Sequence, residues 1–159
     1  MKKVIVGILA LGWIPTLAVV TGVARTDALQ APGRTPLKVT RLYTGPDGKT
    51  KVEETTLPLK PRDAGSETSA SIPVTSMQFR YTTPAYDLDW HPAPRRQIVV
   101  TLSGESEIEL EGGRKMRFGA GHILLAEDTT GQGHKSRAVP GTDRIALDIV
   151  LGDGATLPK

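Results

Sequence analysis

The chain of 159 residues has no cysteine, which excludes a disulfide framework and any thiolate-held metal. It has no asparagine either, so no Asn-linked glycan can be attached. No Gly-x-Ser-x-Gly elbow, no phosphate-cradling glycine loop and no His-Glu-x-x-His pair occurs, which removes the usual motifs of serine hydrolases, nucleotide binders and helical zinc peptidases. A basic surplus is also missing. The formal charge of +3 falls to +1 once Lys2 and Lys3 of the N-terminal segment are set aside, and a nearly neutral domain lacks the cations that phosphate neutralisation needs. Nucleic acid is therefore not the expected partner. Long helical periodicity is absent, while 17 glycines and 12 prolines point to short strands joined by tight turns.

What the chain does have begins with Met1-Lys-Lys, the uncharged run Val4 to Val23, and then Arg25. That order is the pattern of an export signal, with Gly22 and Ala24 at the small-residue positions of a cleavage site. The run also approaches the ~20 residues that cross a bilayer, so an uncleaved N-terminal anchor is the alternative, and membrane contact would be through this segment alone. The expected organisation is residues 1–24 as signal peptide or anchor, 25–36 as linker and 37–159 as one β-domain, exported to the periplasm or secreted.

Strand patterns follow over Leu37–Tyr43 and Thr50–Leu57, with Gly45-Pro-Asp-Gly48 as the turn between them. Residues 60–73 are polar and aperiodic and read as a loop. Val74–Tyr81 regains strand character, with Met77, Phe79 and Tyr81 on one face as expected core. Gln97–Leu102 is a β-branched run. In 105–111 the acidic residues Glu105, Glu107, Glu109 and Glu111 alternate with Ser106, Ile108 and Leu110, a strand with one wet face. A Gly112-Gly113 turn leads back along Arg114–Phe118. Further strands are expected at His122–Glu127, 134–139 and Arg144–Leu151. His122, following a turn glycine, is expected to be exposed and without a role. Short strands, close turns and no helical crossovers favour an all-β antiparallel jelly roll or barrel.

The stretch Asp89–Gly104 carries the chemistry: Trp90, His91, Arg95, Arg96 and Gln97 stand at the mouth of an apolar strand. His91, Ala93, Arg95 and Gln97 share parity, so on a continuous strand they face one side, although Pro92 and Pro94 interrupt that register. Arg95 would aim a planar fork at a carboxylate or phosphate. Trp90 would stack on a ring or pack against the rim. His134 opens a later strand and is expected to converge with His91 on one hollow, either as a hydrogen-bonded imidazole pair or as metal ligands.

These residues resemble the two motifs of the cupin superfamily. The first, Gly-x5-His-x-His-x3/4-Glu-x6-Gly, stands here as His91-x-Ala93-x3-Gln97-x6-Gly104, with the spacing kept and two of four ligand positions changed. The second, Gly-x5-Pro-x-Gly-x2-His-x3-Asn, is opened by Gly121 and reaches His134 through a loop two residues longer. Glu127 stands in place of the Pro, and the Asn is missing. The resemblance implies a cupin-type β-barrel, often paired as a homodimer through edge strands. It also implies a metal set of His91, Gln97 and His134, completed by Glu127 or Asp128, holding one divalent Fe, Mn, Ni or Zn. Cupins include dioxygenases, isomerases, lyases, storage proteins and ligand-sensing domains, so the fold leaves the chemistry open. The leading expectation is a binder of a small polar or anionic molecule around Trp90, His91, Arg95, Gln97 and His134. A metal-dependent enzyme is the second, and an interaction module with a plugged cavity the third.

Overall fold

The computed structural model describes residues 36–141 and 143–158. The leader and nearly all of the linker expected at residues 1–36 lie outside them. The described residues form an all-β structure of twelve strands with one short 3-10 turn, Glu111–Gly113. The first half comprises β1 (Lys38–Thr44), β2 (Thr50–Thr56), β3 (Lys60–Asp63), β4 (Ser66–Thr68), β5 (Val74–Thr82) and β6 (Asp87–His91). The second comprises β7 (Gln97–Ser103), β8 (Ser106–Glu109), β9 (Lys115–Phe118), β10 (Ile123–Glu127), β11 (His134–Ala138) and β12 (Arg144–Leu151).

Six strands make the larger sheet, in the order β2-β1-β10-β7-β12-β5, and four make the smaller, β6-β11-β8-β9. All neighbours are antiparallel except β1 and β10, which run parallel. The polar stretch at 60–73, expected as a loop, contains a separate exposed hairpin of β3 and β4. Its residues alternate no apolar face, which is why the pattern gave no strand signal.

The two main sheets meet face to face. Leu42, Val99, Leu124 and Ala146 of the larger pack with Ile108 and Phe118 of the smaller and with Leu110. On the outer face of the larger sheet, Val39, Ile98, Leu125 and Leu151 are covered by Leu57 and by Ala155 of the C-terminal segment. Arg96 pins that segment, donating from Nη2 to the Ala155 carbonyl at 2.7 Å. In the smaller sheet the predicted alternation holds: Ser106 and Ile108 are buried, while Glu107 and Glu109 face outward to Lys115 and Arg137.

One expected core face is reversed. Met77, Phe79 and Tyr81 are not core; Phe79 is 70% exposed, and Leu147, Ile145 and Ile149 of β12 lie beside the three in register. β5 is an edge strand whose inward positions are Gln78, Arg80 and Thr82. Its interior side meets a polar hollow, so the rule that apolar residues point inward is inverted here.

Candidate functional site

Near the packed contact the two sheets enclose a cavity of about 400 Å³. Its walls come from Gln78 and Arg80 of β5, Leu88 and His91 of β6, Gln97 and Val99 of β7, Leu124 and Ala126 of β10, His134 and Ser136 of β11, and Arg144 and Asp148 of β12. Pro92, Ala93, Pro94 and Arg95 close one end as the connection between β6 and β7. The hollow is not filled by side chains.

His91 and His134 do converge. They are register partners across β6 and β11, and their ring centroids lie 4.7 Å apart with the planes tilted by 55°. A β-bulge aims His91 inward. Between the pairs His134↔His91 and Ser136↔Leu88, β11 advances two residues while β6 advances three, so Leu88 and His91 both reach the cavity although three positions apart. The same extra residue keeps Trp90 out of the lining. Its ring is covered instead by the Lys135 ammonium, 5.2 Å from the centroid. Gly133 holds the close approach that follows: at φ +75° it lies so near His91 that an added Cβ would sit 1.9 Å from the His91 carbonyl oxygen.

Each imidazole is anchored through Nδ1. His91 Nδ1 bonds the Asp89 backbone carbonyl at 2.7 Å. His134 Nδ1 bonds Asp128 Oδ2 at 2.6 Å, and the Thr50 hydroxyl donates to the same oxygen at 2.8 Å. Asp128 is fully buried, and its other oxygen, Oδ1, has no hydrogen-bond partner among the described residues. Because a carbonyl and an ionised carboxylate only accept, each ring carries hydrogen on Nδ1, so the neutral tautomer that fits these bonds has its lone pair on Nε2.

Glu127 is not at the site. Leu124 and Ala126 point into the cavity, so strand alternation turns Glu127 to the opposite face. There Arg41 Nε binds Oε2 at 2.5 Å and Arg96 Nε binds Oε1 at 3.0 Å. Burial pushes the Glu127 pKa up, but the bonds from Arg96 and Arg41 outweigh it and the net shift is downward. The carboxylate that the sequence offered as a metal ligand is thus an ion-pair acceptor. Its neighbour Asp128 reaches the imidazole instead. Arg95 lines the cavity as expected; Arg96, next to it, does not. His122 is half-buried rather than exposed, bonded to Thr40 Oγ1 at 2.9 Å and edge-on to Phe118; burial lowers its pKa, opposed by Glu54.

Two arginines that sequence reasoning passed over dominate the electrostatics. Arg80 is paired with Asp148, Nη2 to Oδ1 at 3.1 Å. Arg144 is only 6% exposed, and its guanidinium donates twice to the Thr101 hydroxyl, at 2.8 and 3.2 Å. Among the described residues no carboxylate is in ion-pair contact with Arg144 or Arg95. Burial, then the nearby Arg80 charge, lowers the Arg144 pKa against the opposing pull of Asp148 and Tyr86. Three guanidiniums therefore face one carboxylate across the lining. Tyr86 completes the wall, its hydroxyl 3.0 Å from Ser136 Oγ.

For a divalent metal the donors are two imidazoles and the Gln97 amide. Among the described residues no group of three or more His, Asp or Glu side chains is placed to hold an ion, and the arginines oppose a cation.

No family model matches the chain, and no curated protein does. Among solved structures it is similar to the crystal structure of protein NMB1881 from Neisseria meningitidis, at 15% identity and a TM-score of 0.37, over 56% of this chain and 90% of that one. At that distance the likeness decides neither fold family nor function.

Proposed function

We propose that this chain is an exported, single-domain, cupin-type β-barrel that binds a small anionic molecule between its two main sheets. The observation that carries the reading is Arg144. Among the described residues no carboxylate is in ion-pair contact with this guanidinium, only the longer-range pull of Asp148, so burying it is costly, and a ligand carboxylate or phosphate would offset that cost with bidentate bonds. Arg80 and Arg95 add to the same field, and Gln97, Ser136 and the two imidazoles supply directional polar groups.

Thermal-shift and calorimetric titration with acetate, succinate, phosphate and the neutral polyol glycerol tests it. Anions are expected to stabilise the protein and glycerol to do nothing. Arg95→Ala, at an exposed position, is expected to weaken anion binding about tenfold with folding intact, the scale of one charged hydrogen bond. Equal response to anions and glycerol would sink the proposal.

A second reading, a metal-dependent cupin enzyme with His91 and His134 as ligands to Fe, Mn, Ni or Zn, is favoured by one observation: a carboxylate orienting an imidazole is a common support for a metal ligand. Metal analysis of untagged protein decides it, since stoichiometric metal lost in a His91→Ala, His134→Ala double variant would replace the first reading. A homodimer belongs to either reading. Its seat would be the free edge of β5 with the apolar Met77, Phe79 and Tyr81, where a second β5 would satisfy the open backbone groups. Sedimentation of wild type against Phe79→Glu tests it.

A further inference from the structure

The cavity holds a proton acceptor as well as cations, and the two imidazoles are not equivalent. His91 is backed by a neutral carbonyl, whereas His134 is backed by a fully buried carboxylate that receives a second bond from Thr50. Anchoring a ring needs only a carbonyl, as His91 demonstrates. A buried carboxylate with one oxygen unpartnered among the described residues is a costly way to do the same thing. What it adds is stabilisation of the imidazolium that forms when Nε2 takes a proton, together with a fixed tautomer that presents the Nε2 lone pair.

We infer that His134 is a general base, positioned by Asp128, for proton transfer at the carbon beside the carbonyl of a 2-oxo carboxylic acid. The inference rests on the anion-binding reading, since the arginines would hold the substrate carboxylate. In the step, the His134 Nε2 lone pair takes a proton from C3. The C–H electron pair becomes the C2–C3 double bond, and the carbonyl electrons move onto oxygen as an enolate. The guanidiniums of Arg80 and Arg144 line the same cavity and face that charge as fixed cations. The imidazolium then returns the proton to carbon or to the enolate oxygen, giving exchange, inversion or tautomerisation. No oxidant, reductant or metal is required. Asp128 and Thr50 are positioning residues in this scheme.

The test incubates the full chain with 2-oxobutyrate or 2-oxoglutarate in D2O and excess EDTA, and follows loss of the C3 proton signal by NMR. Thermal shift on the same samples reports binding. The expected result is exchange proportional to protein concentration and well above the protein-free rate. His134→Gln should lower the exchange rate by about 100-fold or more, the usual weight of a general base, measured at probe concentrations where the thermal shift shows the variant saturated. Asp128→Asn should lower that rate while leaving the half-saturating concentration within about twofold, a split that a purely structural contact would not give. If that variant fails to fold, His134→Gln decides alone. Binding of both probes without exchange overturns the inference, as does exchange that survives in His134→Gln. If succinate binds but neither 2-oxo acid does, the substrate class is wrong and only the anion site stands. If no anion binds, both proposals fall.

Discussion

Replacing Gly133 by alanine strikes the fold and the cavity together. Gly133 sits at φ +75°, where an L side chain costs about 1–2 kcal/mol. Its new Cβ would also lie 1.9 Å from the His91 oxygen and 2.1 Å from the His91 carbonyl carbon, both backbone atoms that no rotamer change can move aside. The strands must part by about 1 Å to reach even a tight contact. That displacement strains the His134↔His91 register and the bond from Ala93 N to the Asp128 carbonyl at 3.0 Å. Losing one or two such bonds adds about 1–2 kcal/mol, so the total is about 3 kcal/mol. Gly121→Ala is the matched control: its φ is +81° but nothing lies within 4 Å of the added methyl, so it bears the backbone cost alone. Urea denaturation of both variants, with an anion titration of each, checks the argument. The difference between them measures the clash, and the 133 variant should also lose anion affinity because His91 is pushed away. Equal stabilities would refute the close approach, and with it the geometry of the imidazole pair.

Glu127→Gln should cost about 1.5–3 kcal/mol at pH 7, where the carboxylate holds two arginines. Since the folded pKa of Glu127 is lowered from 4.5, its stabilisation is complete above that value and lost as pH falls through the lower folded value. Denaturation curves should therefore converge between variant and wild type in acid, and a constant gap would contradict the ion-pair assignment. Phe118→Ala, at a fully buried position shared by both sheets, should destabilise by about 3–5 kcal/mol in the same assay. Asp148→Asn removes the one carboxylate that, among the described residues, lines the cavity and should tighten succinate binding several-fold, read by calorimetry. Weaker binding would mean that Asp148 holds Arg80 in its binding pose.

Most strand positions were legible because strands such as β1, β7, β8, β10, β11 and β12 each bury at least one face. Leu124 and Leu125, Ile108, and the alternating glutamates before the Gly112-Gly113 turn all mark segments that the structure keeps. β6 was not legible: Asp87-Leu88-Asp89-Trp90 alternates for only four residues, and the bulge breaks that period by bringing Leu88 and His91, rather than Leu88 and Trp90, to the cavity. His91, Ala93 and Gln97 do line one hollow, yet not along one strand as their parity suggested. β6 ends at His91, and Pro92–Arg96 turns the chain before β7 begins. Arg80, Arg144 and Asp148 escaped notice for another reason. They share faces with Gln78 and Ala146, opposite the apolar side of β5 and β12, and pattern reading assigns the polar side of such strands to solvent. Only knowing that the interior is lined by polar groups would have reversed that assignment. Asp128 was visible beside Glu127, but which of two adjacent carboxylates turns toward His134 is decided by strand register, which one sequence does not give.

The reversed polarity of β5 means that this strand has a rival way to lie. Sliding it by one position along β12 would send Met77, Phe79 and Tyr81 inside and convert the hollow into an oily plug, a denser and drier molecule with nothing left to receive a guest. The extra residue that β5 inserts opposite Val150 and Leu151, and the grip of Asp148 on Arg80, hold it in the other alignment. Emptiness here is maintained against a compact competitor, and loosening either restraint should let the chain close upon itself.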